Sequence, residues 1–284
     1  MARPSTVAVA GVGDNVVDCY VDAGLMFPGG NTVNVAAAAA RFGARAAYFG
    51  QVASDHAGDV IARGLQAEGV DSSMLRRAEG RTAHCVIAIG PNGDRQFLSS
   101  ALGVSRFALS SHDLEALRGF DAAHVGATSG LDAQLEQIAA ATRLSYDFAI
   151  HGDPSHVARV GPRCFLAIHS GGDLDDDAFE ALVNRSERSG AEWSLVTRGT
   201  RGAVLSHGTS RLHGDALVET SAVDTLGAGD TFAARTLVGL LRGEEPRSLL
   251  AAAATAAAET CARLGAFGHG ASLDLLDLTQ ETIR

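Results

Sequence analysis

The chain contains no lysine: all 23 cationic side chains among its 284 residues are arginine. This excludes a Schiff-base lysine. It also excludes a phosphate loop of the G-x-x-x-x-G-K-[ST] type, which places a lysine on the phosphates. Any phosphate chemistry here has to rest on backbone amides, arginine and metal. Aromatics are scarce at 5%, which disfavours a nucleoside slot walled by rings. Cations are outnumbered by 33 Asp and Glu, leaving a net charge of -10, so a nucleic-acid backbone is not an expected partner. Zinc-type spacings such as H-x-x-x-H and H-E-x-x-H are missing among the ten histidines. No C-x-x-C pair occurs among Cys19, Cys85, Cys164 and Cys261. Each lies among apolar or small residues, so they read as reduced core thiols and point to the cytoplasm. Long apolar runs are lacking too. Val35–Ala40 and Leu249–Ala258 are short and rich in alanine, and Val7–Val12 is cut off by Asp14. Neither a membrane span nor a signal peptide is expected.

What is present is an alternation of strand-like and helix-like segments. Strands are expected at Thr6–Gly11, Ala46–Val52, Ala122–Gly126, Leu144–Ile150, Cys164–His169 and Trp193–Thr197. Helices are expected at Thr32–Phe42, Ala57–Glu68, Leu131–Thr142, Asp175–Arg188, Asp230–Leu241 and Pro246–Leu264, with a short helical tail after Ser272. Pro91-Asn92-Gly93-Asp94 between His84–Ile89 and Gln96–Ser100 reads as a hairpin turn, and Ala203–Ser206 with Arg211–His213 as a second hairpin. The expected fold over 1–284 is a single α/β domain of three layers, a mostly parallel central sheet with helices on both faces. Segments 15–30 and 84–100 form a small β flap. Ligands of such sheets bind at the carboxyl ends of the strands, so strand-to-helix turns carry most weight.

One such turn stands out: Asp224-Thr225-Leu226-Gly227-Ala228-Gly229-Asp230-Thr231-Phe232, after a strand-like stretch. Its small residues leave amide N–H groups exposed at a helix N-terminus, where an anion is favoured. Asp230, in the first turn, is placed to take a proton from a hydroxyl that attacks phosphorus. Near the first strand, Asp14 and Asp18 are carboxylates suited to polyols, since one carboxylate accepts two hydroxyl donors. Gly11-Val12-Gly13-Asp14-Asn15-Val16 lacks the third glycine of a dinucleotide loop.

The D-T-L-G-A-G-D-T-F segment resembles the C-terminal signature of the ribokinase-like (PfkB) carbohydrate kinases. Three more pieces follow in the family's order: Gly29-Gly30-Asn31-Thr32-Val33-Asn34-Val35-Ala36, Gly50 to Gly58, and Thr197-Arg198-Gly199-Thr200-Arg201-Gly202. The resemblance covers nearly the whole chain. It implies ATP-dependent phosphorylation of a sugar hydroxyl, with Asp230 as base and the amides of Gly227, Ala228 and Gly229 around the transferred group. It implies ATP along Thr197, Gly199, Gly202 and Thr225, with Mg2+ on the phosphates and a monovalent cation as a further option. Sugar contacts would come from Asp14, Asp18, Gly29, Gly30 and Asn34. The stretch G-D-N-V-V-D-C-Y, joined to P-G-G-N-T-V-N-V, is most similar to fructoselysine 6-kinases. Arg95 is then a partner for the amino-acid tail. Alternatives are another ketose, ribose or a nucleoside as acceptor, or a non-catalytic sugar-binding regulator. A homodimer through the flap is a further expectation.

The chain departs from the family pattern in three places. The usual N-x-x-E is replaced by His169-Ser170-Gly171-Gly172-Asp173-Leu174-Asp175-Asp176-Asp177, where Asp173 stands for the acid or the cluster caps a helix. Arg235 either reaches a phosphate or faces solvent. Asp147 and Asp153 both lie near a strand end where the family places contacts, and spacing does not choose between them.

Overall fold

The computed structural model describes residues 6–89, 95–150, 153–217 and 222–273, and the side chains of 89, 95 and 96 are not among those described. Elements are numbered in chain order. Strands with apolar side chains on both faces need cover on both sides, and β1 (Ala8–Val12) is buried at all five positions. It lies inside a nine-stranded sheet of order β13 (Ser210–Gly214), β12 (Ala203–His207), β11 (Trp193–Thr197), β10 (Cys164–Ser170), β9 (Arg143–Ile150), β8 (Ala122–Gly126), β1, β4 (Arg45–Ala53) and β5 (Leu75–Ala78). Neighbours from β11 to β5 are parallel. The hairpin β12–β13 adds two antiparallel strands at one edge.

Helices α1 (Asn31–Arg41), α2 (His56–Ala67), α7 (Ala228–Arg242) and α8 (Pro246–Thr260) cover one face. There Val9, Leu195 and Leu205 pack with Leu237, Val238 and Leu250, and Tyr48 and Val52 with Ile61 and Leu65. Helices α3 (Ser111–Leu117), α4 (Leu135–Ala141), α5 (Pro154–Val160) and α6 (Asp176–Glu187) cover the other. Val125, Leu144 and Phe148 meet Leu117, Ile138 and Val157 there, and Val196 meets Phe179 and Leu182. The alanine face of α1 lets it settle directly on β1. A Cβ at Gly11 would lie 2.2 Å from the Thr32 carbonyl oxygen. This is the expected three-layer fold.

A second sheet has the order β14 (Ala271–Ser272), β3 (Leu25–Gly29), β2 (Val16–Tyr20), β6 (His84–Ile89) and β7 (Arg95–Ala101). The described parts of both expected flap segments lie in it. Alternation along β2 divides its side chains: Val17 and Cys19 join the core under α2, while Tyr20, on the face it shares with Asp18, packs with Phe27, Ile87 and, from the main body, Leu226 and Leu264. The Pro91–Asp94 turn and all of the expected tail beyond Leu273 lie outside the described residues.

Several expected boundaries shift for local reasons. Helix α7 starts at Ala228, two residues before Asp230, because Gly227 already supplies the left-handed cap (φ 75°). Helix α8 ends at Thr260 rather than Leu264, since the Cys261 carbonyl is taken by the amides of Val223 and Asp224 at 2.7 and 3.2 Å. The expected helix Leu131–Thr142 splits into a 3-10 turn at Asp132–Gln134 and α4. Among the described residues no strand directly precedes the Asp224 turn; β13 ends at Gly214. Strand β5 and helices α3 and α5 are additional elements. All four cysteines are free, with Cys19 and Cys164 buried. No helix among the described residues is long and apolar enough to cross a membrane.

Candidate active site

The first turn of α7 brings Asp230 to the N-terminus of α1. Its Oδ1 accepts a hydrogen bond from Asn31 Nδ2 at 2.8 Å, and its Oδ2 one from Asn34 Nδ2 at 2.7 Å. Residues three apart share a helix face, so α1 presents both amides to one carboxylate. Asn31 Nδ2 also donates to Asp147 Oδ2 at 2.9 Å, and the Ala149 amide donates to Asp147 Oδ1 at 2.7 Å. Burial pushes Asp230 above the ordinary carboxylate range. The two amide donations oppose the rise and the nearby Asp14 charge adds to it. Asp147 is pushed up to about 7, first by burial and then by the charge of Asp230. A carboxylate raised in this way is a better proton acceptor than one in water. Asp153, the other candidate at this strand end, instead caps α5, accepting from the His156 amide at 2.9 Å.

Asp14 leaves β1 toward the same space. Its carboxylate accepts from Ser129 Oγ at 2.6 Å and Thr128 Oγ1 at 2.9 Å. Asp18 is buried in the small sheet, in register with Phe27 and Cys85. Burial first, and then its charge, push the thiols of Cys19 and Cys85 up to about 12 and about 11. Both glycines of the Gly29–Gly30 pair answer to neighbours within the protein. A Cβ on Gly29 would lie 2.1 Å from Asp18 Oδ2, and one on Gly30 (φ 103°) would lie 2.8 Å from Asn15 Cα. Asn34 Oδ1 is buried with no partner among the described residues. Arg95 opens β7, but its side chain is not among those described.

A cavity of about 350 Å3 lies on the far side of the α7 N-terminus. Thr197, Gly199 and Gly202 line it from the turn after β11, Thr225, Ala228 and Gly229 from the α7 turn, and Ala254, Ala257 and Ala258 from α8. The expected nucleotide residues thus share one wall. Gly227 stands just outside that lining, as the cap; a Cβ there would lie 2.3 Å from Ala266 Cβ. A Cβ on Gly229 would meet open space. The Ala228 amide makes a long 3.4 Å bond to Thr225, and the amides of Gly229 and Asp230 have no acceptor among the described residues. These are donors aimed at a helix N-terminus that an anion can occupy.

No arginine lines this cavity among the described residues. Arg235 pairs with Glu244 at 2.6 Å. Arg198 pairs with Asp176 at 2.5 Å and lies over the Phe179 ring. Asp175 caps α6 by accepting from the Ala178 amide at 2.8 Å. Within the Asp173–Asp177 stretch, Asp175 and Asp176 are therefore a cap and an ion-pair partner. No group of three or more His, Cys, Asp or Glu among the described residues is arranged to hold a metal.

Four participants were not singled out from the sequence as site residues. Asn31 adjoins the double glycine. His124 interrupts the apolar β8, and its Nε2 meets Asn31 Oδ1 at 2.9 Å. Tyr20 reaches from β2 to donate to Asp224 Oδ2 at 2.5 Å. Asp224 also accepts from the amides of Leu226 and Gly265 at 3.0 Å each, which ties the small sheet to the α7 turn. A polar residue inside an apolar strand was the available signal for His124; the other contacts are long-range.

This arrangement has close relatives. The model of the pfkB family carbohydrate kinases matches residues 8–150 and 169–268. A fructosamine kinase of Bacillus subtilis, FrlD, is 35% identical over 263 residues, covering 91% of this chain and 92% of the relative. A fructoselysine 6-kinase of Escherichia coli is 30% identical over 261 residues, covering 91% and 99%. The structure of an Arabidopsis thaliana ribokinase complexed with ribose and ATP superposes with a TM-score of 0.80 at 20% identity, covering 93% of this chain and 95% of that one. The protein is a sugar kinase of the ribokinase type, a phosphotransferase. The chain belongs to the pfkB family of carbohydrate kinases.

Proposed function

We propose that the protein transfers the γ-phosphoryl group of ATP to the 6-hydroxyl of fructoselysine or a closely related fructosamine. The carrying observation is the Asp230 carboxylate, held by Asn31 and Asn34 at the N-terminus of α7 beside the small-residue cavity. The names of the 35% and 30% identical relatives support the fructosamine class. In this reading Asp230 takes the hydroxyl proton as the sugar oxygen bonds to phosphorus. The bond from that phosphorus to the bridging oxygen of ADP breaks. The amides of Ala228 and Gly229, with Gly227 shaping the turn, stabilise the charge on the moving group. Asp14, Asp18 and Asn34 bind sugar hydroxyls, and the unpartnered Asn34 Oδ1 is a ready acceptor. Gly29 and Gly30 keep this wall thin, and Arg95 is assigned to the amino-acid tail. ATP lies along Thr197, Gly199, Gly202 and Thr225.

The phosphates would meet no arginine from the cavity lining, so their charge needs another counterion. Mg2+ would fit that role, arriving with the nucleotide and neutralising the phosphate oxygens. The described residues act as one unit, with those of the segments 15–30 and 84–100 as a lid. The outer strand β7 exposes Phe97 and Leu98, which supports pairing of two lids in a homodimer. Four free thiols support a cytoplasmic location.

The test is ADP release with Mg-ATP over fructoselysine, fructose, ribose and a nucleoside, with Asp230→Asn as control. The expected outcome is strong preference for fructoselysine and a loss of about 10^3-fold in kcat for Asp230→Asn, with ATP still bound. Turnover of another sugar alone removes the fructosamine assignment. Sugar binding without turnover makes the protein a regulator.

A further inference from the structure

Asn31 has one amide nitrogen and two carboxylates to hold. Its Nδ2 donates to Asp230 Oδ1 at 2.8 Å and to Asp147 Oδ2 at 2.9 Å, so both N–H bonds are used. Its Oδ1 is therefore the only atom left to face His124 Nε2, at 2.9 Å. A carbonyl oxygen only accepts, so His124 Nε2 carries the proton and donates. His124 is fully buried, and burial pushes its imidazole down to about 3, so the ring is neutral. Nδ1 is then unprotonated and accepts from Ser145 Oγ at 3.0 Å. The directions form one chain: Ser145 hydroxyl to His124, His124 to Asn31, Asn31 to both carboxylates.

The fold supplies the route. His124 of β8 is in register with Gly11 of β1 on one side and Ser145 of β9 on the other. The missing side chain at Gly11 lets α1 descend, which brings Asn31 within reach of His124. At the end of β8, Gly126 keeps the amide's place open; a Cβ there would lie 2.6 Å from Asn31 Oδ1. Turning the Asn31 amide over would point its oxygen at Asp230 and Asp147 and its nitrogen at the protonated Nε2. The contacts with the Asp230 carboxylate and with the Nε2 proton would be repulsive.

We propose that His124 is a positioning residue for phosphoryl transfer, fixing the Asn31 amide so that it donates to Asp230 and Asp147, with Ser145 fixing the ring's tautomer. It touches neither substrate nor reacting atom. Its effect is on the base: without an oriented Asn31, Asp230 loses a donor that favours its ionised form. The groups that face Asp230 are Asn31 and Asn34 from α1, Asp14 beyond β1 and Asp147 at the end of β9. Among the described residues, the side-chain donors to Asp230 are the Asn31 and Asn34 amides. Loss of one donation therefore moves the base upward in pH.

The inference rests on Asp230 being the base, and the experiment separates the two. His124→Phe keeps a ring and removes the donor; His124→Gln keeps a donor; Ser145→Ala leaves the ring and frees its tautomer. Each is assayed as purified full-length enzyme for kcat, both KM values and the pH profile of kcat/KM, beside Asp230→Asn. Expected for His124→Phe are a fall in kcat of about 30-fold, KM values within about 2-fold, and an acid limb displaced to higher pH, so that raising the pH recovers part of the rate. His124→Gln should recover most of the activity, and Ser145→Ala should show a smaller displacement in the same direction. If His124→Phe does not fold, Ser145→Ala and His124→Gln decide. An unmoved acid limb in a folded His124→Phe or in Ser145→Ala overturns the proposal, as does a loss carried by KM alone. An active Asp230→Asn removes the base assignment instead; an inactive one beside unaffected His124 variants removes only the relay.

Discussion

At the Asp230 end of the cleft, the carboxylates are held by specific side chains. Asn31 and Asn34 hold Asp230, Asn31 also holds Asp147, and Thr128 and Ser129 hold Asp14. At the other end, the cavity wall from Thr197 to Cys261 is largely small side chains and exposed backbone. One end works by placing charge, the other by leaving space. Under the proposed function the contrast follows from what each end would bind. A polyol offers many directional hydroxyls, which need fixed acceptors. A nucleotide offers a flat base and phosphates, which need room, amide donors and a counterion. Substitutions at the first end should therefore act through lost hydrogen bonds, and at the second through lost volume.

The larger effect is expected at the acidic end. Asp18→Ala should raise the sugar KM about 100-fold, the scale of losing charge-assisted hydrogen bonds, while the ATP KM stays within about 2-fold. Steady-state kinetics with each substrate varied in turn check this. An unchanged sugar KM would move the sugar site away from β2.

A smaller and opposite split is expected across the cleft. Ala257→Leu adds bulk to the α8 wall of the cavity. The ATP KM should rise about 10-fold with the sugar KM unchanged, the scale of overfilling a packed wall. If both KM values rise together, the two ends are not independent and the contrast fails.

The difference between the ends also explains what was legible in the sequence. The wall proposed for the nucleotide is local: Thr197 to Gly202 and Thr225 to Gly229 are continuous stretches whose glycines and small residues announce a turn. Their shared cavity was readable in outline. The place of Asp230 in the first turn of α7 was readable for the same reason, from its position behind Gly227-Ala228-Gly229. The acidic end is assembled from separate elements, β1, β2, α1, β8, β9 and α7. Nothing in the spacing says that Asn31 meets Asp147, 116 residues away, or His124, 93 residues away. That Asp147 joins the Asn31–Asp230 group while Asp153 caps a helix needed the fold. Much of the layer order followed from the β/α alternation. Missed helices did leave local marks: Ser110 and Asp113 form a capping box ahead of α3, and Asp153-Pro154 opens α5. Each is only seven residues long, too short for apolar periodicity to show.

The smallest expected effect tests whether the acidic end is held against its own repulsion. Asp147 is pushed up to about 7 by burial and by the charge of Asp230, with Asp14 adding to it. An unfolded aspartate titrates near about 3.9. The folded state therefore holds this proton more tightly than the unfolded chain does. The stability this group contributes is fully present below the unfolded value and is lost as pH rises through about 7, when the buried carboxylate has to ionise beside Asp230. Asp147→Asn keeps an oxygen that can accept from Asn31 and removes the ionisation. The melting temperature of the variant relative to the parent should therefore rise with pH between about 4 and 8, by a few degrees across that range. A thermal melt series at the two pH values checks the sign. A relative Tm that falls or stays level would mean that the Asp230–Asn31–Asp147 group is not under the repulsion its packing implies. The acidic end would then be as electrostatically relaxed as the nucleotide wall, and the contrast between them would reduce to shape alone.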